Sequence, residues 1–417
     1  ADSVLSPPAV SCLKWISLGD DRPRLVLCDM RSGAVQTVDV LEEMARPVLI
    51  ANLAHPAMLN PCDLDGDGST DLIVAELGSL FSGDHRRGAV YWLTRGNTKT
   101  SGRSYARQSV DVLPRGVDVL PTAVWRRQLR GEESPWQQRL IASGLGRVAD
   151  VVPLDIEGDA DLDLIVSEFG HVRTGSITAL MNDGAKSGRP HFQTSTLDPR
   201  AGTINTPVAD FNGDGRLDFV ALVSQEHETV DLFLNQGDGK FQQSTIYALE
   251  DPSNGLSGVQ IIDLDGDGDL DVLFSNGDTF GSHHLKPFHG VRWLENKGEY
   301  QFEHHWITKM IGVQRTLAAD LDNDGDQDVV AIGFLPQNLV NSPGLDQYDS
   351  ILWLEQTTPG TFRRHSLERG RFEHAAMDLA DFDGDGDIDL AVGNFVFETE
   401  KTTPWFTVFW NQHSDQD

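Results

Sequence analysis

Short apolar runs, each bounded by turn-forming residues, set the rhythm of this chain. Asp71-Leu-Ile-Val, Asp163-Leu-Ile-Val, Asp218-Phe-Val-Ala, Asp271-Val-Leu-Phe, Asp328-Val-Val-Ala and Asp389-Leu-Ala-Val form one set. Segments of this length and β-rich composition predict buried strands. A second set follows as Val90-Tyr-Trp-Leu, Ile177-Thr-Ala-Leu, Val230-Asp-Leu-Phe-Leu, Val291-Arg-Trp-Leu, Ile351-Leu-Trp-Leu and Val408-Phe-Trp. Each unit reads as inner strand, tight loop, second strand, variable loop, third strand and outer strand. The fullest example runs from Val259-Gln-Ile-Ile to His304-His-Trp-Ile. Hairpin-linked four-stranded units repeated about an axis are propeller blades.

Six units carry the tight loop, beginning at Asp63, Asp155, Asp210, Asp263, Asp320 and Asp381. Their starts are 92, 55, 53, 57 and 61 residues apart, a blade-sized period with one oversized interval. Ahead of them Val10-Ser-Cys-Leu-Lys-Trp-Ile to Arg24-Leu-Val-Leu repeats the rhythm, with Gly19-Asp-Asp-Arg in place of the loop. The predicted fold is all-β: a single seven-bladed β-propeller over 1–417, with an insertion at 96–135 in the second blade. Ser3-Val-Leu-Ser is expected to supply the outer strand that the last unit lacks, leaving no open sheet edge.

The tight loops carry the chemistry. Oxygen side chains stand at places one, three, five and nine: Asp63, Asp65, Asp67 and Asp71; Asp155, Glu157, Asp159 and Asp163; Asp210, Asn212, Asp214 and Asp218. The later loops repeat this with Asp263, Asp265, Asp267 and Asp271; Asp320, Asp322, Asp324 and Asp328; Asp381, Asp383, Asp385 and Asp389. Alternating hard oxygen ligands on a glycine-bearing turn suit Ca²⁺. An EF-hand is excluded, because place twelve is apolar in every copy (Val74, Val166, Ala221, Phe274, Ala331, Val392). Up to six calcium ions in a structural role are expected. The Asp155 loop is the weakest, departing at Glu157 and Ala160.

The formal charge of −31 is concentrated in these loops, and six bound Ca²⁺ bring it to about −19. Such a chain lacks the basic footprint of a nucleic-acid binder. No apolar run approaches a membrane span. The opening Ala1-Asp-Ser and the need for abundant calcium point to an exported chain, periplasmic or extracellular. Cys12 and Cys28 flank a predicted turn; a disulfide and two buried thiols stay open as readings.

The loops and the strands after them resemble the calcium-binding half of FG-GAP/VCBS-type repeats, found in seven-bladed bacterial propellers and integrin α-chains. Only Phe169-Gly and Phe280-Gly represent the motif's other half. The resemblance implies a calcium-loaded propeller and adds nothing about the ligand.

Function is expected on the face opposite the metal loops, in segments 76–89, 167–176, 276–290, 333–349 and 394–405, since binding concentrates in loops on a rigid scaffold. His283, His284 and His289 are candidates for a transition-metal site or solvated histidines. Arg147, Arg315 and Arg371 precede inner strands and are candidates to ring the channel or pair with acids. Glu168, His171 and Arg173 offer an acid–base set. The insertion reverses the local charge, and Arg103, Arg107, Trp125, Arg126, Arg127, Arg130 and Trp136 are candidates for contact with a partner. The first function read from these features is a non-enzymatic exported scaffold binding protein or glycan, as an accessory subunit of a larger envelope or extracellular assembly. The alternative is a carbohydrate-active enzyme, lyase-like, with its site at the channel mouth.

Overall fold

The computed structural model describes residues 7–19, 22–42, 46–95, 135–182, 190–280, 282, 284–397 and 403–412. Seven antiparallel sheets follow one another along the chain, occupying 10–52, 56–145, 148–198, 203–248, 256–309, 313–369 and 374–409. In the fifth blade Leu256–Ile262, Asp271–Asn276, Gly290–Asn296 and Phe302–Lys309 pair in sequence order. The fourth blade differs in its inner strand, which is broken at Thr206-Pro207 into Thr203–Asn205 and Val208–Ala209. Proline has no N–H for the ladder, so the break falls where the sequence places it. Among the described residues the seventh blade has three strands, and the expected closing strand at 3–6 lies outside them.

The blades close into a ring through apolar seams. Val10, Leu13, Leu25 and Leu27 of the first blade pack with Ala376, Phe382 and Ala391 of the seventh. The Trp15 amide donates to the Asp378 carboxylate across the same seam at 2.6 Å. Further clusters join the third blade to the fourth, the fourth to the fifth, the fifth to the sixth and the sixth to the seventh. Every second strand after the first blade is buried along its whole length, as in Asp271–Asn276, because neighbouring blades cover both its faces. Outer strands such as Thr361–Arg369 are mostly exposed. Cys12 and Cys28 sit opposite each other in the first hairpin as buried free thiols.

Candidate functional site

At one end of the ring the six acidic loops join inner to second strands. Place four takes a left-handed conformation in each, at Gly66, Gly158, Gly213, Gly266, Asn323 and Gly384. The first aspartate of each loop folds back to accept backbone amides; Asp263 takes those of Gly266 (2.8 Å) and Gly268 (2.9 Å). The fifth-place aspartate accepts the amide two residues on, as Asp267 does from Asp269 at 2.9 Å. These bonds hold carboxylates together that repel one another. Ligand-capable oxygens lie within 4.8 Å of one another in Asp63/Asp65/Asp71, Asp263/Asp265/Asp271, Asp320/Asp322/Asp324 and Asp381/Asp383/Asp385. One oxygen of Asp322 is buried without a hydrogen-bond partner. A hard divalent cation fits these four donor sets.

The ninth-place aspartate has a job that sequence reasoning missed. Asp271 is buried and clamps two segments: it accepts the Leu264 amide at 3.0 Å and the Asn296 amide at the end of the third strand at 2.8 Å. Asp163, Asp218, Asp328 and Asp389 do the same in their blades. The side chain of the residue whose amide is clamped then reaches the preceding blade. Asn235 donates to the Ile156 carbonyl (3.2 Å), Gln356 to Leu264 (2.9 Å) and Asn411 to Leu321 (2.6 Å). The Asn or Gln that recurs near the end of the third strand in the third to seventh blades (Asn182, Asn235, Asn296, Gln356, Asn411) is the signal that could have revealed this stitch.

Two loops stand apart. In the Asp155 loop Ala160 takes the sixth place with φ 72°, where the other five loops have glycine. In the Asp210 loop Asn212 removes one charge and Arg216 forms an ion pair with Asp214, so the loop carries its own cation.

At the opposite end a cavity of about 890 Å³ opens at the mouth of the central channel. A one-residue irregularity near the start of each inner strand aims one residue per blade at it: Ser11, Ala57, Ala149, Ile204, Ser257, Gln314 and Ala375. β-Bulges re-aim side chains in this way, and small residues at most of the seven places keep the throat open. Segments after the second strands build the wall. Phe280, Phe334, Phe395 and Phe397 form an aromatic cluster with ring centroids 5.2–6.4 Å apart. Phe81 and Phe280 also line the cavity and are 79% and 58% exposed.

A family model for FG-GAP-like repeats matches residues 210–274, from the fourth blade's loop through the second strand of the fifth. That match falls on a loop and strands that recur around a seven-bladed ring. The chain is a seven-bladed β-propeller with an FG-GAP-like repeat at 210–274. Cartilage acidic protein 1 of Mus musculus is 24% identical over 352 residues, 80% of this chain and 47% of that protein. The chain thus spans about half the length of the curated relative it matches. The V. cholerae biofilm matrix protein Bap1 aligns at 20% identity over 58% of this chain and 34% of that one, with a TM-score of 0.32.

The propeller separates residues that the sequence grouped. Arg147 and Arg315 line the cavity, but Arg371 is bound to Glu368 (3.1 Å) and Glu373 (2.9 Å) outside it, so three arginines do not ring the channel. Glu168 is buried as a clamp, accepting from the Gly146 amide (2.5 Å) and from Ser176 and Thr178. His171 lines the cavity, whereas the Arg173 amide is held by Asp84. The acid–base set of the lyase-like reading therefore does not converge. His289 is fully buried and pushed down to about 3 by burial, then by Lys286, while His284 is exposed; His283 lies outside the described residues. His284 and His289 do not gather as a metal site among the described residues.

The sequence also missed a paired arrangement in adjacent blades. Glu295 meets His305 at 2.7 Å and Glu355 meets His365 at 2.5 Å, each histidine ring 4.5–4.7 Å from a tryptophan. The repeated Trp-Leu-Glu at 293–295 and 353–355 was its signal. Of the insertion, Arg103, Arg107, Trp125, Arg126, Arg127 and Arg130 lie outside the described residues. Its base is described: Arg95 pairs with Trp136 in register, and the guanidinium lies 5.1 Å from the ring. The third and outer strands of the blade meet there on the face of the acidic loops, so the insertion is rooted opposite the cavity.

Proposed function

We propose that this chain is a calcium-stabilised binding scaffold without catalytic activity, exported and docked on a larger envelope or extracellular assembly. The observation that supports this reading most is the repetition of closely held carboxylate sets on one face of a rigid ring. Calcium bound there screens their repulsion and ties inner to second strands. Asp63, Asp65, Asp71, Asp263, Asp265, Asp271, Asp320, Asp322, Asp324, Asp381, Asp383 and Asp385 are the residues that would hold it. No helix among the described residues is long and apolar enough to cross a membrane. The local excess of positive charge in 96–135 offers an acidic partner a contact that the rest of this acidic chain does not.

The test is capture from the source's envelope fraction in millimolar calcium, comparing the full chain with one lacking 97–134. A stoichiometric protein lost on deletion supports the scaffold. Equal capture by both, or none by a well-folded full chain, overturns the assignment of the insertion as a protein contact.

A further inference from the structure

The channel-mouth cavity combines two features that seldom coexist on an exposed surface. Its wall is a phenylalanine cluster in which Phe334 and Phe395 are buried and Phe280 and Phe397 are exposed, with Phe81 and Val172 also exposed in the lining. Exposed apolar patches of this kind mark binding sites. Its rim also carries two guanidinium groups. Arg147 is half-buried with its Cζ 5.4 Å from the Phe169 ring, and its Nε is buried without a hydrogen-bond partner. Neither Arg147 nor Arg315 forms an ion pair among the described residues, whereas Arg200, Arg364 and Arg369 are each matched to an aspartate.

Arg315 feels the charge of Asp378 in the seventh blade without an ion pair to it, and the carboxylates sharing the lining do not neutralise Arg147. Asp278 turns to the Phe280 amide at 2.8 Å, and Glu226 is exposed at the edge. A half-buried cation without a counter-ion costs free energy that a bound anion recovers. Burial also draws the Arg147 guanidinium below its ordinary value.

We infer that this cavity binds an amphipathic organic anion, a carboxylate or sulfonate head on an aromatic or alkyl body. The two guanidiniums exclude a cationic guest. The phenylalanine walls favour a guest with apolar surface over an inorganic anion. A volume of about 890 Å³ is within the range of small-ligand sites. The inference rests on reading this face as a binding face and is independent of the insertion.

The experiment uses two fluorescent probes differing in charge: 1-anilinonaphthalene-8-sulfonate and its neutral parent N-phenyl-1-naphthylamine. They are titrated into the full chain in millimolar calcium. One equivalent of the sulfonate is expected to bind, with dodecanoate displacing it and dodecanol not. Arg147→Gln and Arg315→Gln should each weaken the sulfonate about tenfold, the loss of one charge-assisted hydrogen bond, and leave the neutral probe unchanged. Phe280→Ala should weaken both. Equal binding of the two probes, equal displacement by acid and alcohol, or no binding overturns the inference; the displacement arm needs no variant and stands if a substitution disturbs folding. Failure of the full chain to capture a partner, with the probe still bound, refutes only the scaffold.

Discussion

Chelation is the perturbation whose size can be worked out. Four loops bring three ligand-capable carboxylates within 4.8 Å. At free calcium about ten times Kd, each occupied site adds about 1.4 kcal/mol by mass action, so the four contribute about 6 kcal/mol. A chain of 417 residues unfolds with an entropy near 0.9 kcal/mol/K, scaling from about 2.1 cal/mol/K per residue. Excess EGTA should therefore lower the melting temperature by about 6 °C from that level of calcium, and by a similar step for each further tenfold in calcium. Scanning calorimetry over a calcium series reads this directly. The chelated protein should also show a characteristic pH response. Burial pushes Asp163, Asp271 and Asp328 up to about 6. An aspartate raised above its unfolded value of about 3.9 binds more protons when folded, so its contribution to stability is full below that value and lost as pH rises through about 6. The metal-free chain should melt higher at pH 5.5 than at pH 7.5, and saturating calcium should reverse that order. An EGTA melt superimposed on the calcium melt at pH 7.5 would refute the structural role of the metal.

Two substitutions test the local geometry. Ala160→Gly should stabilise by about 0.5–1 kcal/mol, because release of a left-handed alanine outweighs the added chain entropy of glycine; a denaturant midpoint that falls would count against strain at that loop. Gln356→Ala removes the donor to Leu264 and Gln327 and the acceptor of the Gly360 amide, so a loss of about 2–4 kcal/mol in urea unfolding is expected. An unchanged midpoint would show that the stitch between the fifth and sixth blades carries no stability.

Strand positions and tight loops were legible because each reports a local rule. Asp271-Val-Leu-Phe is apolar on consecutive residues since both its faces are buried, and Gly266 stands where φ is +76°. What was not legible depends on partners distant in sequence. Nothing around Ser11 or Gln314 distinguishes a bulged residue from a paired one, because the irregularity is a relation between two strands. Arg147 and Arg371 both stand shortly before inner strands, yet Arg371 is paired with glutamates at 368 and 373. His289 failed as a ligand because its loop folds inward and buries it, which a count of histidines cannot register.

An anion site on a chain of −31 looks contradictory until charge is assigned to faces. The acidic loops lie at one end of the inner strands and the two cavity arginines near the other. Inner strands of seven residues, such as Val313–Ala319, span about 23 Å at roughly 3.3 Å per residue. The Debye length at physiological ionic strength is about 8 Å, so most of the loops' potential is screened before it reaches the cavity. Calcium in the proposed sites would weaken it further. The guanidiniums, by contrast, act at contact distance in an apolar surround, where screening is least. Local charge therefore decides which small molecules the mouth admits, while the net charge governs encounters between whole proteins. By the same separation, a partner gripping the insertion at the metal-loop end leaves the mouth open, so scaffold and small-molecule site can act together on one ring.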